Sequence, residues 1–376
     1  MPLDKQSPWF LALLAAIGTL VYVAVLLNQP KEITDRIRLG RNDFIQLYAG
    51  AKLAGSPDLY ARDAIGRIQR EEAGMESGEI YFLRLPAYAC ALRPLAWLPY
   101  LRAYWLFQGI SLLCFLAFLW MFVPAARELA AFASLSIPLY ATIQNGQDTA
   151  LVLFFMGLSV VLARKKLDFW AGAVLSLCAI KFHLLMLIPL ALVIQRRWWI
   201  LRGGIAGSGC LLILSFASAG LDWPRRYLAA LNGQNPHPEY MPNLHTLSAL
   251  LGRSDLAVES VLSLGVTLAV AYLAWRLPDY ELAFAFAVVG SLLVSVHSYT
   301  QDCLILLLPV AILLAKPFSK RVRALAELTA SPIPYFFVLA GTPMNLAMPS
   351  LLLSILAAAI VTVWQSGSGA HSESKT

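Results

Sequence analysis

Charge is what this sequence has least of. Asp, Glu, Lys and Arg together make up only 14% of its 376 residues, where water-soluble domains carry about a quarter. That scarcity excludes an ordinary soluble domain. The five cysteines stand singly at 90, 114, 178, 210 and 303, without the paired spacing of a zinc site or a disulfide framework, so buried free thiols are expected. Alternating apolar and polar residues are missing as well, which excludes a β-barrel. The sequence contains no Asp-x-Asp, His-Glu-x-x-His, Gly-x-x-x-x-Gly-Lys-Ser/Thr or Gly-x-Ser-x-Gly. Metal-clamped nucleotide-sugar chemistry and zinc, P-loop and serine-hydrolase chemistries are set aside accordingly, and neither a metal nor a cofactor is expected.

What the chain does have is grease. Hydrophobic residues reach 59% and mean hydropathy is +0.66, so the reading is an all-α polytopic membrane protein, long enough for about ten to twelve spans of roughly 20 residues. The net charge of +7 does not point to nucleic acid, because the basic residues form no basic domain. They cluster instead in short loops, at Arg164-Lys165-Lys166, at Arg196-Arg197 with Arg202, and at Lys316, Lys320, Arg321 and Arg323. By the positive-inside rule these loops mark the cytoplasmic face.

Walking the charges gives a topology. Residues 9–27 are read as a retained first span rather than a cleaved signal segment, delivering an external segment 28–85 that contains a helical run at 44–53. An apolar stretch at 85–100, interrupted by Pro86, Pro94 and Pro99, is expected to be re-entrant or interfacial. Spans follow at 103–123, 129–142 and 149–163. Segment 169–194 begins and ends among basic residues and is split by Lys181-Phe182-His183, which implies two short helices with Lys181 at a deep tip. Further spans are expected at 203–219, 257–275, 281–296, 303–315, 325–340 and 346–364. The result is one membrane-embedded domain over 1–364 and a disordered cytoplasmic tail over 365–376, with both termini cytoplasmic, in the plasma membrane. Trp97, Trp105 and Trp223 are expected in the interfacial aromatic belt.

Polar groups from distant positions then converge on the external side: Asp43, the turn 144–148, the loop 243–246 and the turn 297–302, with Lys181 pointing up from below. Ionisable residues at membrane depth default to a functional role, and a carboxylate at the surface can act as a base. The bland alternatives are an Asp43 paired to Arg41 or Arg84, a Lys181 paired to an internal acid, a hydrogen-bonded core His183, and a Gln147 that only closes its turn.

At these residues the chain resembles a known family. Asn42-Asp43-Phe44 with Tyr48-Ala49, Leu59-Tyr60, Arg93-Pro94-Leu95 with Leu98-Pro99, Asn145-Gly146-Gln147, Ala171-Gly172 leading to Lys181, and Tyr299 with Asp302-Cys303-Leu304 are together similar to glycosyltransferase family 87. The resemblance covers roughly residues 10–315. It implies a GT-C-type helical bundle that transfers a sugar, as in polyprenyl-phosphomannose-dependent mannosyltransferases. The donor would be a polyprenyl-phosphate sugar and the acceptor a lipid or glycan on the non-cytoplasmic face, with inversion and without metal. It further implies Asp43 as general base, Lys181 and His297 facing the carrier phosphate, and Asn42, Tyr48, Gln147, Tyr299 and Asp302 near the sugar. The sequence departs from the family pattern at Leu85-Pro86 and at His183, where prolines are usual. The rival reading is a transporter or flippase for a lipid or small solute, which would also use broken helices and a deep lysine; a membrane scaffold is the third.

Overall fold

A computed structural model describes residues 31–75, 80–232, 237–246 and 256–372. The expected first span, 9–27, lies outside the described residues. Among them every regular element is helical. Five helices are long and apolar enough to cross a membrane, Tyr100–Phe122, Asp168–Leu185, Trp198–Ala219, Ala257–Arg276 and Met344–Ser366, and Thr149–Arg164, Tyr280–Val294 and Thr300–Ala315 are shorter apolar helices. The protein is therefore an all-α polytopic membrane protein.

The outermost apolar surfaces belong to Trp198–Ala219 and Tyr100–Phe122, where Ile205, Ile213, Leu113 and Trp120 are exposed. In a bilayer such faces meet lipid, which is as apolar as they are. At the opposite extreme, nearly all of Tyr280–Val294 is buried, as expected for a helix hydrophobic on all sides. Two hydrophobic clusters result. The larger gathers around Tyr280–Val294, and the smaller gathers Phe44, Tyr48, Tyr100, Tyr104 and Phe107 beside Trp223. Tyr88 and Leu151 pack against both.

Helices Asp168–Ser176 and Trp198–Ala219 touch backbone to backbone. A Cβ on Gly172 would lie 1.8 Å from the Ile200 carbonyl oxygen, and one on Gly203 would lie 1.9 Å from that of Phe169. Small residues four apart permit this approach in a medium where packing replaces the hydrophobic effect. Lys181 sits in the 3₁₀ segment Leu177–Leu185 with φ −133° and ψ 58°, a break in the helical path. The interruption expected at Lys181 is thus present, and helix Ile188–Ile194 follows it.

Several boundaries differ from the sequence reading. The span expected at 129–142 is two helices, Glu128–Ser134 and Ile137–Asn145. The second starts anew because the Ser136 hydroxyl accepts the Leu139 N–H at 3.2 Å and Pro138 occupies its first turn, a standard N-terminus. The span expected at 325–340 likewise divides into Lys320–Ala330 and Ile333–Leu339 at Ser331-Pro332. The closing helix runs Ala347–Ser372, past Trp364. Trp97 and Trp105 are exposed, but Trp223 is only 6% exposed and packs against Phe216 and Tyr227. It is a core residue, not part of a belt.

The segment 28–85 is no slack loop where it is described. Helices Lys31–Arg38, Phe44–Lys52 and Arg62–Ala73 form a packed layer. The Tyr60 hydroxyl ties it down by donating to the Arg84 carbonyl at 2.7 Å, and the Gln69 amide brackets both backbone groups of Ile80. This layer carries Asp43.

Candidate active site

Asp43 stands immediately before helix Phe44–Lys52. Its neighbour Asn42 shapes the approach. The Asn42 Oδ1 accepts the Phe44 N–H at 3.0 Å, a local turn of the kind Asn favours, and the amide exchanges hydrogen bonds of 2.9 and 3.2 Å with the Tyr100 hydroxyl. Both ends of that side chain are engaged within the protein. Tyr48 is fully buried, its hydroxyl donating to the Leu98 carbonyl at 2.8 Å and lying 3.2 Å from Glu72. The structure therefore places Asn42 and Tyr48 in the support of Asp43, turned into the aromatic cluster.

The second wall is the turn between Ile137–Asn145 and Thr149–Arg164. Gly146 adopts φ 66°, a conformation glycine takes without strain. A Cβ there would lie 2.4 Å from the Phe44 Cβ, so the turn is pressed against the residue following Asp43. From it Gln147 Nε2 donates to Asp43 Oδ2 at 2.6 Å. Asp43 as a residue is half-buried, and its carboxyl is surrounded by protein groups. Burial pushes it above the usual carboxylate range, opposed in part by the Gln147 hydrogen bond and by Lys181 and Arg84.

Beneath lies a buried ion-pair network. Arg84 grips Asp148 through Nε and Nη2 at 2.9 and 3.2 Å, and its Nη1 donates to the Leu83 carbonyl. Lys181, 3% exposed, reaches Asp302 Oδ1 at 2.5 Å, Thr149 Oγ1 at 2.9 Å and Asp148 Oδ1 at 3.4 Å. An ammonium has three N–H donors, and here three acceptors surround it. Asp302 is braced in turn by the Tyr299 N–H at 2.9 Å and the Thr149 hydroxyl at 3.3 Å. Two cations face two carboxylates, which is how buried charges become tolerable.

Sequence reasoning underrated Arg84 and Asp148. Arg84 was weighed only as a partner for Asp43, and it is bound to Asp148 instead. The available signal was the depth of the turn 144–148: a carboxylate carried inside with it requires a cation, and Lys181 cannot serve Asp302 and Asp148 alone.

The remaining predicted residues rim this network. His297 is exposed and lies edge-on to Tyr299, ring centroids 4.9 Å apart; burial of part of its surroundings nonetheless lowers its pKa. The Tyr299 hydroxyl accepts the His237 N–H at 3.0 Å, which ties the loop 237–246 to this rim. Asn243, within that loop, donates to the Ser295 carbonyl at 2.7 Å and the Ser298 hydroxyl at 2.9 Å. Asp43, Gln147, Lys181, Tyr299, Asp302 and His297 are thus brought into one region by four separated segments.

An apolar cavity of about 420 Å³ lies alongside, lined by Leu85, Tyr88, Phe107, Ile110, Phe155 and Ile180 among others. Leu85 adjoins Arg84 and Ile180 adjoins Lys181 in the chain, so the greasy space borders the charged network. Among the described residues no three His, Cys, Asp or Glu side chains are grouped to hold a metal ion.

A half-buried carboxylate, a polar rim and an apolar cavity inside a helical membrane protein suit the handling of an amphipathic substrate. The family model of glycosyltransferase family 87 matches residues 82–298, more than half of the chain. The chain belongs to glycosyltransferase family 87. No curated protein and no solved structure matches it. In this family 87 glycosyltransferase the matched region contains Arg84, Gln147, Asp148, Lys181 and His297 and ends just before Tyr299, whereas Asp43 precedes it. Membership favours sugar transfer over the transporter and scaffold readings. The three-dimensional contact between Gln147 and Asp43 attaches the carboxylate to the matched region.

Proposed function

We propose that this glycosyltransferase moves a hexose, mannose in the first instance, from a polyprenyl-phosphate carrier to a lipid or glycan acceptor on the non-cytoplasmic face, with inversion. The observation that carries the reading is the Asp43 carboxylate, held by Gln147 next to a charge-balanced polar floor, which in turn borders an apolar cavity at Leu85 and Ile180. In the reaction the acceptor hydroxyl oxygen bonds to the anomeric carbon as the bond from that carbon to the carrier phosphate oxygen breaks. The hydroxyl proton goes to Asp43, and the bonding pair leaves on the polyprenyl phosphate. A carboxylate within about 3 Å of the hydroxyl suffices for the first part.

The isoprenoid chain suits the cavity beside Leu85 and Ile180, whose lining is almost wholly apolar and includes Leu106, Phe107 and Ile110 of Tyr100–Phe122. The carrier phosphate belongs near His297, above the Lys181 end of the network. Lys181 faces it from below while keeping its contacts to Asp302, Thr149 and Asp148. Tyr299 and Asp302 hold the rim against which the sugar rests. The enzyme works in the plasma membrane with both termini in the cytoplasm.

The test uses purified full-length protein in liposomes with polyprenyl-phosphate mannose, polyprenyl-phosphate glucose and a membrane lipid extract as acceptor. Acceptor-dependent release of polyprenyl phosphate with mannose incorporation is expected. Turnover of neither donor would sink the carrier assignment, and turnover of glucose alone would replace the sugar.

A further inference from the structure

His183 is used by nothing described so far. It follows Lys181 by two residues in the segment Leu177–Leu185, and its Nε2 is enclosed with no hydrogen-bond partner among the described residues. Buried polar atoms are overwhelmingly paired, and an orphan invites a functional explanation. The ring lies edge-on to His297, centroids 6.1 Å apart, while His297 lies edge-on to Tyr299. Two imidazoles therefore stand together where the charged floor meets the rim.

The floor itself has little to offer an anion. Arg84 and Lys181 are balanced by Asp148 and Asp302, the three Arg84 nitrogens all have partners, and three acceptors surround the Lys181 ammonium. An ionised Asp43 beside them leaves the group one negative charge in excess. A phosphate monoester arriving here, and gaining charge as it departs with the carrier, needs donors that are not already committed. The groups around His183 are Lys181 on its own segment, His297 on the turn after Tyr280–Val294, Asp302 on Thr300–Leu306, and Arg84. Lys181 and Arg84 disfavour a cationic ring beside them, and Asp302 favours one. A neutral imidazole with its proton on Nε2 is a hydrogen-bond donor in either balance.

We propose that His183 is a phosphate-binding residue: its Nε2–H donates to a non-bridging oxygen of the carrier phosphate, next to His297, so that the two imidazoles supply what the neutral floor cannot. The inference rests on the carrier reading above and adds a residue to it. The orphan nitrogen is then a vacant half of a hydrogen bond completed by substrate, and charge-assisted bonds of this kind are the stronger ones.

The experiment measures binding of a polyprenyl monophosphate, and of the matching phosphate-free polyprenol, to full-length protein in nanodiscs. His183→Phe keeps an aromatic ring and removes the donor, while His183→Gln restores an N–H. Polyprenyl monophosphate binding should weaken roughly tenfold to a hundredfold in His183→Phe, recover in part in His183→Gln, and leave polyprenol binding unchanged. Equal binding of the monophosphate by wild type and His183→Phe, or equal losses for both ligands, would overturn the assignment while leaving the carrier reading intact. A wild-type protein that does not prefer the monophosphate over the polyprenol removes the carrier reading itself. Independently of any variant, ¹⁵N imidazole signals should report a newly hydrogen-bonded His183 Nε2 when the monophosphate is added; an unmoved signal refutes the proposal.

Discussion

Gln147 donates to Asp43 across 2.6 Å, joining residues 104 positions apart in the chain. The bond crosses from the packed layer of Lys31–Arg38, Phe44–Lys52 and Arg62–Ala73 to the turn between two short helices, and it orients the carboxylate assigned the role of base. Removing the base should have the largest effect on chemistry. Asp43→Asn is expected to lower sugar transfer by roughly a hundredfold to ten-thousandfold, the usual range for a general base, with carrier binding retained. The measurement is single-turnover transfer alongside carrier affinity, and near-normal transfer would remove Asp43 from the mechanism.

The pH dependence has a definite sign. Burial raises the Asp43 pKa above 3.8, and the Gln147 hydrogen bond opposes that rise. A base must be deprotonated, so transfer should increase with pH through a value above the ordinary carboxylate range and plateau beyond it. Gln147→Leu removes that hydrogen bond and should move this acid limb to higher pH. A limb that stays in place in the variant means another group titrates.

The same shift bears on stability. A raised pKa means the folded state holds the Asp43 proton more tightly than the unfolded chain does. The stabilisation this gives is complete below the unfolded pKa and is lost as pH rises through the folded one. At neutral pH Asp43→Asn is therefore expected to melt at a higher temperature in detergent than the parent protein, and a lower one would contradict this.

Breaking the floor should act in the opposite direction. Asp148→Asn leaves the Arg84 guanidinium without its partner, and orphaning one half of a buried pair destabilises by roughly 3–5 kcal/mol. Replacing both, with Arg84→Met and Asp148→Leu, should be less harmful than the single change. Thermal unfolding of the two variants decides it; a double variant worse than the single would mean the pair contributes net stability.

Gly146→Ala tests the contact that positions the turn. Its Cβ would fall 2.4 Å from the Phe44 Cβ on a backbone with φ 66°, so both sterics and conformation oppose it. Transfer should drop with Gln147 displaced, whereas Gly74→Ala, also at positive φ but with nothing within 4 Å among the described residues, should leave transfer unchanged. Equal activity losses would point to general unfolding instead.

The chain's own chemistry determined its class. With 14% charged and 59% hydrophobic residues, only a membrane-embedded helical protein can satisfy its backbone. The interruption at Lys181 and the short helix Thr149–Arg164 were also legible, because an ionisable residue inside an apolar run has no other place to go. The breaks at Ser136 and Ser331 were less visible, since a serine-proline start is a local hydrogen-bonding choice that hydropathy averages away.

Partners were decided by the tertiary structure alone. The sequence brought Asp43, Lys181 and His297 to one side, but it left open whether Arg84 answers Asp43 or Asp148, and how many acceptors surround Lys181. Each buried charge needs a neutralising neighbour at hydrogen-bonding distance, and which neighbour it finds depends on how helices from five parts of the chain pack. Composition dictates that such pairs must form; only geometry assigns them.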